Sequence, residues 1–362
     1  MTDKASLKTN TPTLIWDVGT AYELFISLYV LHQPEIQGLR ASWAAGIRSR
    51  IPAAERKFLE EIVPFLGFPV GWVYRLPKPK DAISVMWALR QIPPEKRIAT
   101  VTDIEHWSEP EIAAIFLRVA ERQAWEKKDF TTLMEKMCKE PGCNEQGLEK
   151  YLDWWARPAM FGEALLAALQ AYYQAFFEDE EKRVAPVLQA GLERAQQLAQ
   201  HLDLHELLVE LSQGIHFEDP ITTKELIIVP AYWTTPLIVF EKIDEERMLL
   251  LFGSRPANMS AIPGEFVPDG LLRTLKSLAD PTRLKILHYL SQEELTPSKL
   301  AQRLHLRAPT LTHHMSDLRL AGLVNLTIKG QEKFYTSRIE TIDSTHAILK
   351  AFLQKHPEEE RQ

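Results

Sequence analysis

Apolar residues recur every three or four positions through most of the first 225 residues, and this spacing places them on one face of a helix. Breakers such as Pro93-Pro94 and Gly214 separate the periodic segments. The N-terminal part is therefore predicted to be mainly helical. The predicted helices cover Ala21–Leu31, Pro52–Phe65, 81–91, 109–139, 145–178, 181–200 and 203–212.

After Thr222 the pattern changes to short apolar runs that are rich in β-branched and aromatic residues. Leu226–Val229, Leu237–Lys242 and Met248–Phe252 are therefore predicted to be strands. The last two flank an acidic turn at 244–246, which predicts a hairpin within a small antiparallel β-meander.

Residues 254–268 contain Gly, Pro, Ser and Asn without periodicity, and we expect them to form a linker. The predicted organisation is an N-terminal mainly helical domain over 1–253 and a second domain over 269–355. The polar first 13 residues lack an apolar core, so they are expected to be a frayed tail rather than a signal peptide.

A compact series of short helices begins at residue 271. Asp280 is a good N-cap, Pro281 fits a first helical turn, and Gly322 ends the last helix. Two short helices joined by a three-residue turn predict a helix-turn-helix, and the hairpin that follows predicts a wing. The predicted elements are helices Leu271–Leu278, Thr282–Leu290, Ser298–Leu304 and Ala308–Ala321, then strands Leu323–Ile328 and Phe334–Arg338.

The helix over Ala308–Ala321 is the predicted recognition helix. Its apolar positions, Leu311, Met315 and Leu318, must face the core, so the short polar residues between them are expected to face DNA. The basic hairpin tip suits contact with phosphate or the minor groove. The predicted DNA-binding residues are Lys299, Arg307, Thr310, Thr312, His313, His314, Lys329, Gln331 and Lys333.

The strings LADPTRLKILHYL and SKLAQRLHLRAPTLTHHMSDLRLAGLV, followed by the basic hairpin, resemble the ArsR/SmtB family of bacterial winged-helix regulators. The resemblance covers about residues 270–340. It implies a homodimer on a partly palindromic operator, usually a repressor that an effector releases. It also implies that the terminal helix Asp343–Gln354 joins the dimer interface.

Metal-sensing members of this family carry two thiolates at the start of the third helix, where this chain has Thr296 and Ser298. Neither hydroxyl is a useful ligand for a soft metal. The family's terminal-helix metal pattern is also incomplete, since Asp343 and His346 lack the later ligands. We therefore expect an effector other than a metal, and no cofactor.

Two other pairs of possible ligands are weak candidates for a metal site. Cys138 and Cys143 have no second pair at zinc-site spacing. His201 and His205 could share a helix face, but no third ligand is evident. The cysteines are expected to be two unrelated thiols or a loosely redox-active pair, and the histidines to lie on a solvated face or in the core.

The net charge of −7 argues against a protein that coats nucleic acid along its whole surface. Residues 266–340, however, hold 11 Lys and Arg against 7 Asp and Glu, as expected for DNA binding confined to one end. No run approaches the length needed to span a bilayer, and two cysteines provide no disulfide framework, so a cytoplasmic protein is expected.

All nine tryptophans precede residue 234. Trp154 and Trp155 beside Arg157 could form an apolar wall with one polar anchor for a ligand, although large aromatic residues usually belong to the core. The sequence holds no P-loop, dinucleotide fingerprint, nucleophile elbow or zincin motif, and no enzyme activity is expected.

The leading hypothesis is a mainly α (α+β) protein that binds double-stranded operator DNA as a homodimeric regulator controlled by a small molecule. Three alternatives remain open. The large domain could serve assembly alone in a constitutive DNA-binding protein. The winged helix could bind another protein, or an enzyme could be fused to a regulator.

Overall fold

The computed structural model describes residues 11–107, 109–137, 144–219 and 221–354. The chain divides into two compact units. One, the helical unit, comprises Asp17–Leu188 and Glu241–Glu245, and the other, the mixed unit, comprises the remaining residues. The mainly helical fold with small sheets agrees with the sequence prediction.

The helical unit is built of short helices around an apolar core that includes Leu24, Phe116 and Trp155. Side-chain caps begin some of these helices: Asp81 accepts a hydrogen bond from the Ser84 amide at the start of the helix Ala82–Gln91. The helices are α1 Thr20–His32, α2 Ala41–Arg48, α3 Ala53–Leu66, α4 Val70–Arg75, α5 Ala82–Gln91, α6 Pro94–Val101, α7 Pro110–Arg122, α8 Lys127–Met137, α9 Glu145–Trp155, α10 Pro158–Tyr172 and the part of α11 Glu178–Leu198 up to Leu188, with 3₁₀ turns at Pro34–Gln37 and Ile104–His106 and a π-helical turn at Tyr173–Phe177.

Two of the long predicted helices are each more than one helix. The segment 109–139 is interrupted after α7, because Gln123 adopts a left-handed conformation with φ of 54°. The segment 145–178 breaks at Ala156 and Arg157, and Pro158 then begins α10. Short interruptions of this kind disturb the apolar spacing little, which is why periodicity alone did not separate the helices.

The mixed unit contains two sheets and the C-terminal helices. The elements that follow α11 or precede α1 are β1 Thr13–Trp16, α12 Leu204–Leu211, β2 Ile215–Phe217, β3 Glu225–Ala231, β4 Val239–Lys242, β5 Arg247–Gly253, α13 Asp269–Leu278, α14 Pro281–Leu290, α15 Pro297–Leu304, α16 Ala308–Leu320, β6 Val324–Lys329, β7 Glu332–Ser337 and α17 Glu340–Gln354. The first sheet has strand order β1-β3-β5-β4, and the second has order β2-β6-β7.

The predicted antiparallel meander is wrong in the relative direction of β3 and β5, whereas the two strands of the predicted hairpin, β4 and β5, are neighbours in the sheet. β3 pairs in parallel with both β1 and β5, and β4 lies at the outer edge next to β5. From β3 the chain first crosses to β4 at the edge of the sheet and then returns to β5, which lies between β3 and β4. As a result, β3 and β5 run in the same direction. β1 was not predicted, since Thr13 was assigned to the frayed tail.

The winged helix has the predicted elements in the predicted order. Asp280 accepts hydrogen bonds from the amides of Thr282 and Arg283 at the start of α14. Gly322 follows α16 with φ of 68°, which ends the helix in the left-handed conformation that favours glycine. Its core is a cluster of buried side chains from the helices of the motif and the wing, among them Ile286, Leu300, Leu311, Met315, Leu318 and Val324.

Residues 254–268, the predicted linker, are held by specific contacts. Asp269 at the start of α13 accepts hydrogen bonds from the Ala261 amide and from the side chains of Arg255 and Arg273. The Tyr232 hydroxyl donates to the Ser260 carbonyl. The division into two units thus falls at other places than 254–268, because this segment is tied to the sheet before it and to the helix after it.

Candidate nucleic-acid interface

Helix α16, the predicted recognition helix, presents one polar face to solvent. Leu311, Met315 and Leu318 are buried in the core of the winged helix, as their spacing predicts. Thr310, Thr312 and His313, near these positions in the chain, are exposed. The Thr312 hydroxyl donates to the Ala308 carbonyl at 3.0 Å, one turn earlier in the helix.

An ion pair fixes how α16 is oriented. Arg283 of α14 contacts Asp317 of α16 and also donates to the carbonyls of Lys276 and Ser277. Asp317 additionally lies 3.7 Å from the His313 imidazole. One guanidinium therefore holds the end of α13, the start of α14 and the recognition helix together, and the exposed face of α16 is set by these contacts.

His314 differs from the neighbouring predicted DNA contacts. Its side chain is half-buried, and its Nδ1 is buried without a hydrogen-bond partner in the described part of the chain. It faces α14, where it is close enough to help lower the pKa of the Asp280 carboxyl, a shift due first to the hydrogen bond from the Arg283 amide. The structure places His314 beside the core and not on the outer face with His313.

Two predicted basic contacts flank the helix-turn-helix. Lys299 lies in the first turn of α15, where Thr296 caps the helix through the Lys299 amide. Arg307 is the N-cap residue of α16. Both side chains are exposed, so both can reach a phosphate.

The wing is less basic than its sequence suggests. Gln331 and Lys333 are exposed, but the Lys329 ammonium lies 3.0 Å from a carboxylate oxygen of Glu294 and 3.0 Å from one of Glu218. The hydrogen bonds that Lys329 donates to Glu294 and Glu218 raise the pKa of its ammonium. Sequence reasoning missed these partners, because Glu218 lies more than one hundred residues before the wing.

The three residues of the predicted ligand site do not share one cleft. Trp155 is fully buried against Phe116, with ring centroids 5.0 Å apart. Trp154 is half-buried, donates to Glu61 at 3.0 Å, and has the exposed Arg157 guanidinium 5.2 Å from its ring centroid. Trp154 and Arg157 therefore lie together, and Trp155 faces the core.

The other candidate ligands give no metal cluster within the described residues, where no group of three or more His, Cys, Asp or Glu side chains could hold an ion. Cys138 and Cys143 lie outside the described residues. His205 approaches His216 of β2, with ring centroids 5.8 Å apart, rather than His201.

Over the same described residues, no helix has the length and apolar character to cross a bilayer.

Comparison with known proteins finds similarity in the winged helix. A family model described as bacterial regulatory protein, arsR family, matches residues 280–325. The nodulation protein NolR of Rhizobium meliloti is 36% identical over 94 residues, which are 25% of this chain and 72% of NolR. The crystal structure of NolR from Sinorhizobium fredii has 34% identity, covers 23% of this chain and 80% of its own, and gives a TM-score of 0.20.

Two other relatives are named for opposite effects on transcription. The transcriptional repressor SdpR of Bacillus subtilis is 28% identical over 80 residues, which are 22% of this chain and 89% of SdpR. The transcriptional activator HlyU of Vibrio cholerae is 42% identical over 62 residues, which are 17% of this chain and 57% of HlyU. This chain thus spans between 57% and 89% of the length of these three relatives.

Proposed function

Because the chain belongs to the ArsR family of bacterial regulatory proteins, we propose that it is a transcriptional regulator that binds operator DNA as a homodimer. The observation that carries this proposal is the exposed polar face of α16, held outward by a buried apolar core on its other side. Short polar side chains on such a helix can reach base edges in the major groove.

The direct test is a mobility-shift assay with the promoter region of the protein's own operon, followed by genome-wide selection of bound sites. Binding is expected to be selective for sequence and to weaken as salt rises. Binding that is absent at every site, or that does not depend on sequence, would refute a role as an operator-binding regulator.

The double variant Thr312→Ala/His313→Ala is expected to weaken operator binding about thirtyfold, since each base contact contributes on the order of 1 kcal/mol of discrimination. Fluorescence anisotropy with the selected duplex measures the change. His201→Ala, which removes one exposed imidazole outside the winged helix, is the control. Unchanged affinity in the double variant would instead favour a winged helix that binds another protein.

The homodimer is supported by exposed apolar side chains on α13, on α17 and next to them. Leu353 is 72% exposed and Ile339 is 55% exposed. In a monomer these apolar side chains stay in contact with water, whereas a dimer contact would bury them. Phe266 packs against Phe352 of α17, with ring centroids 5.0 Å apart, and continues the same surface. The other exposed members are Leu272, Leu275 and Ile342.

Leu353→Ser is expected to raise the dimer dissociation constant at least about tenfold, because burying a leucine contributes about 1.5 to 3 kcal/mol and the dimer loses one in each protomer. Sedimentation equilibrium over a range of concentrations measures the constant. Ile83→Ser is the matched control, since Ile83 is 55% exposed in the helical unit. Equal dissociation constants for the two variants would place the dimer contact elsewhere.

We further propose that the protein is a repressor, since a dimer bound over a promoter excludes polymerase without further contacts. We also propose that its effector is not a metal. The hydroxyls of Thr296 and Ser298 hydrogen-bond to each other at 3.0 Å, an arrangement with little affinity for a soft metal ion. A reporter driven by the selected promoter tests the sign of regulation: deletion of the gene should raise its expression. If no small molecule changes operator affinity, the large N-terminal part serves assembly alone.

A further inference from the structure

A short segment that precedes the winged helix in the sequence lies along the wing. We call residues 212–219 the strap. Within it, β2 pairs in parallel with β6, with Ile215 opposite Leu326 and Phe217 opposite Ile328. Backbone hydrogen bonds extend the pairing at both ends, from the Leu326 amide to the Gly214 carbonyl at 2.9 Å and from the Glu218 amide to the Ile328 carbonyl at 3.2 Å.

Two arginines of the winged helix hold the beginning of the strap. Arg319 of α16 donates to the carbonyls of Ser212 and Gln213, both at 3.3 Å, and Arg338 donates to the Gln213 carbonyl at 3.0 Å. Burial lowers the pKa of Arg319 to about 10. The end of the recognition helix is therefore joined directly to the strap.

Gly214 allows this close approach. It adopts φ of 98°, a conformation that residues with a Cβ rarely take. A Cβ at this position would lie 2.3 Å from Oδ1 of Asn325 in β6. The docked position of the strap thus depends on the absence of a side chain at residue 214.

The other end of the strap brings two carboxylates to the tip of the wing. Glu218 is one of the two partners of Lys329, and Oδ2 of Asp219 accepts from the Gly330 amide at 3.2 Å. That amide is at the hairpin turn itself, where a DNA phosphate would otherwise be a suitable acceptor. The strap therefore occupies the lysine and the backbone donor that a wing would use for phosphate.

The charges at the tip make the docked wing unfavourable for phosphate. Acidic side chains outnumber basic ones there, and at physiological salt charges interact over roughly 8 Å. With the strap removed, the tip would have as many lysines as carboxylates. The groups concerned are Glu218, Asp219, Glu294 and Glu332, against Lys329 and Lys333.

We propose that the strap is an autoinhibitory element of the wing. While docked, it keeps Lys329 in internal ion pairs and places carboxylates where DNA phosphates would lie. When it leaves β6, the Lys329 ammonium loses Glu218 and keeps Glu294, and the Gly330 amide loses Asp219, so both can turn to phosphate. β2 is only three residues long and directly follows α12, whose Leu207, Leu208 and Leu211 pack in the core of the first sheet, so displacement of α12 would carry the strap with it.

The proposal rests on the proposed DNA-binding function, and a double-mutant cycle in the full chain tests it. The probe is the promoter duplex selected by the mobility-shift experiment. Glu218→Gln/Asp219→Asn is expected to raise affinity about fivefold at low salt. The slope of log affinity against log salt should steepen by about 0.9 for each additional phosphate that the wing binds. The control Glu193→Gln/Glu245→Gln removes the same charge from exposed residues that belong to neither the strap nor the winged helix, and should not steepen the slope.

Lys329→Gln distinguishes a wing that is blocked from one that already binds DNA. In the otherwise native chain it should change affinity less than about twofold, because Lys329 is held by carboxylates, and in the Glu218→Gln/Asp219→Asn chain it should cancel the rise in affinity. A flatter salt slope on Lys329→Gln alone would overturn the proposal. So would a rise in affinity for Glu218→Gln/Asp219→Asn no larger than that of the control.

Gly214→Ala tests the strap without changing any charge. It is expected to speed hydrogen exchange at the Leu326 amide and to raise DNA affinity in the same direction as the acidic variant. Faster exchange with unchanged affinity would also overturn the proposal. If neither the native chain nor any variant binds DNA, the proposed function itself fails, whereas DNA binding that the strap variants leave unchanged refutes the autoinhibition alone.

Discussion

Leu318→Ala is expected to lower the free energy of unfolding of the winged helix by about 3 kcal/mol. Leu318 is fully buried in the core formed by α14, α15, α16 and the wing, and truncation leaves a cavity that the surrounding helices only partly fill. Because the same helix carries the proposed base contacts, operator binding should weaken at temperatures where the module begins to unfold. Chemical denaturation followed by circular dichroism measures the loss.

Leu284→Ala is the matched control for this substitution. Leu284 lies in α14 of the same module but is 47% exposed, so its truncation should lower the free energy of unfolding by only about 1 kcal/mol. Equal effects of the two substitutions would show that Leu318 is not part of a tightly packed core. It would also remove the reason for assigning the outward face of α16 to DNA.

The winged helix could be predicted from the sequence because its signals are local. The Asp280 cap, the proline after it and the glycine after α16 lie within a few residues of the helix ends that they define. The spacing of Leu311, Met315 and Leu318 likewise fixes the buried face of one helix. Each of these features acts between near neighbours in the chain.

The first sheet could not be predicted in the same way, because strand order is a long-range property. β1 pairs with β3 across more than two hundred residues, and β4 takes the edge position. The sequence did hold one unused signal. Leu226–Ala231 is an uninterrupted apolar run, and the structure buries all of it. Such a run is typical of a parallel strand that is covered on both faces, whereas apolar and polar residues usually alternate in a meander strand.

In the candidate site, too, the sequence predicts only those features that depend on near neighbours in the chain. Exposure of Thr310, Thr312 and His313 follows from helix periodicity, but the half-buried position of His314 depends on its neighbour α14. The ion pairs of Lys329 depend on Glu218, whose neighbouring three-residue strand is too short to give a pattern. Charge counted along the sequence therefore overestimates how basic the wing is.

His32 is expected to make the stability of the helical unit depend on pH. Its Nδ1 is 2.8 Å from the Leu28 carbonyl, so a neutral ring donates from Nδ1 and leaves Nε2 unprotonated. Nε2 is buried without a partner in the described part of the chain. Burial lowers the pKa of His32 to about 4, the nearby Arg48 lowers it slightly further, and the bond to Leu28 opposes the shift.

The direction of the effect follows from the two protonation states. An unfolded histidine has a pKa of about 6.5, so between that value and about 4 the unfolded chain binds a proton that the folded chain does not. The contribution of neutral His32 to the free energy of unfolding is complete above pH 6.5 and is lost as the pH falls toward 4. At pH 5 the loss is about 2 kcal/mol.

Denaturant unfolding of the native chain and of His32→Gln at pH 7 and pH 5 measures this contribution. Carboxylates titrate in both proteins and cancel in the comparison, so the variant should lose about 2 kcal/mol less than the native chain between the two pH values. His201→Gln removes one exposed imidazole, leaves His32 in place, and should keep the native pH dependence. An identical loss in the native chain and in His32→Gln would mean that His32 is already protonated, or solvated, in the folded protein.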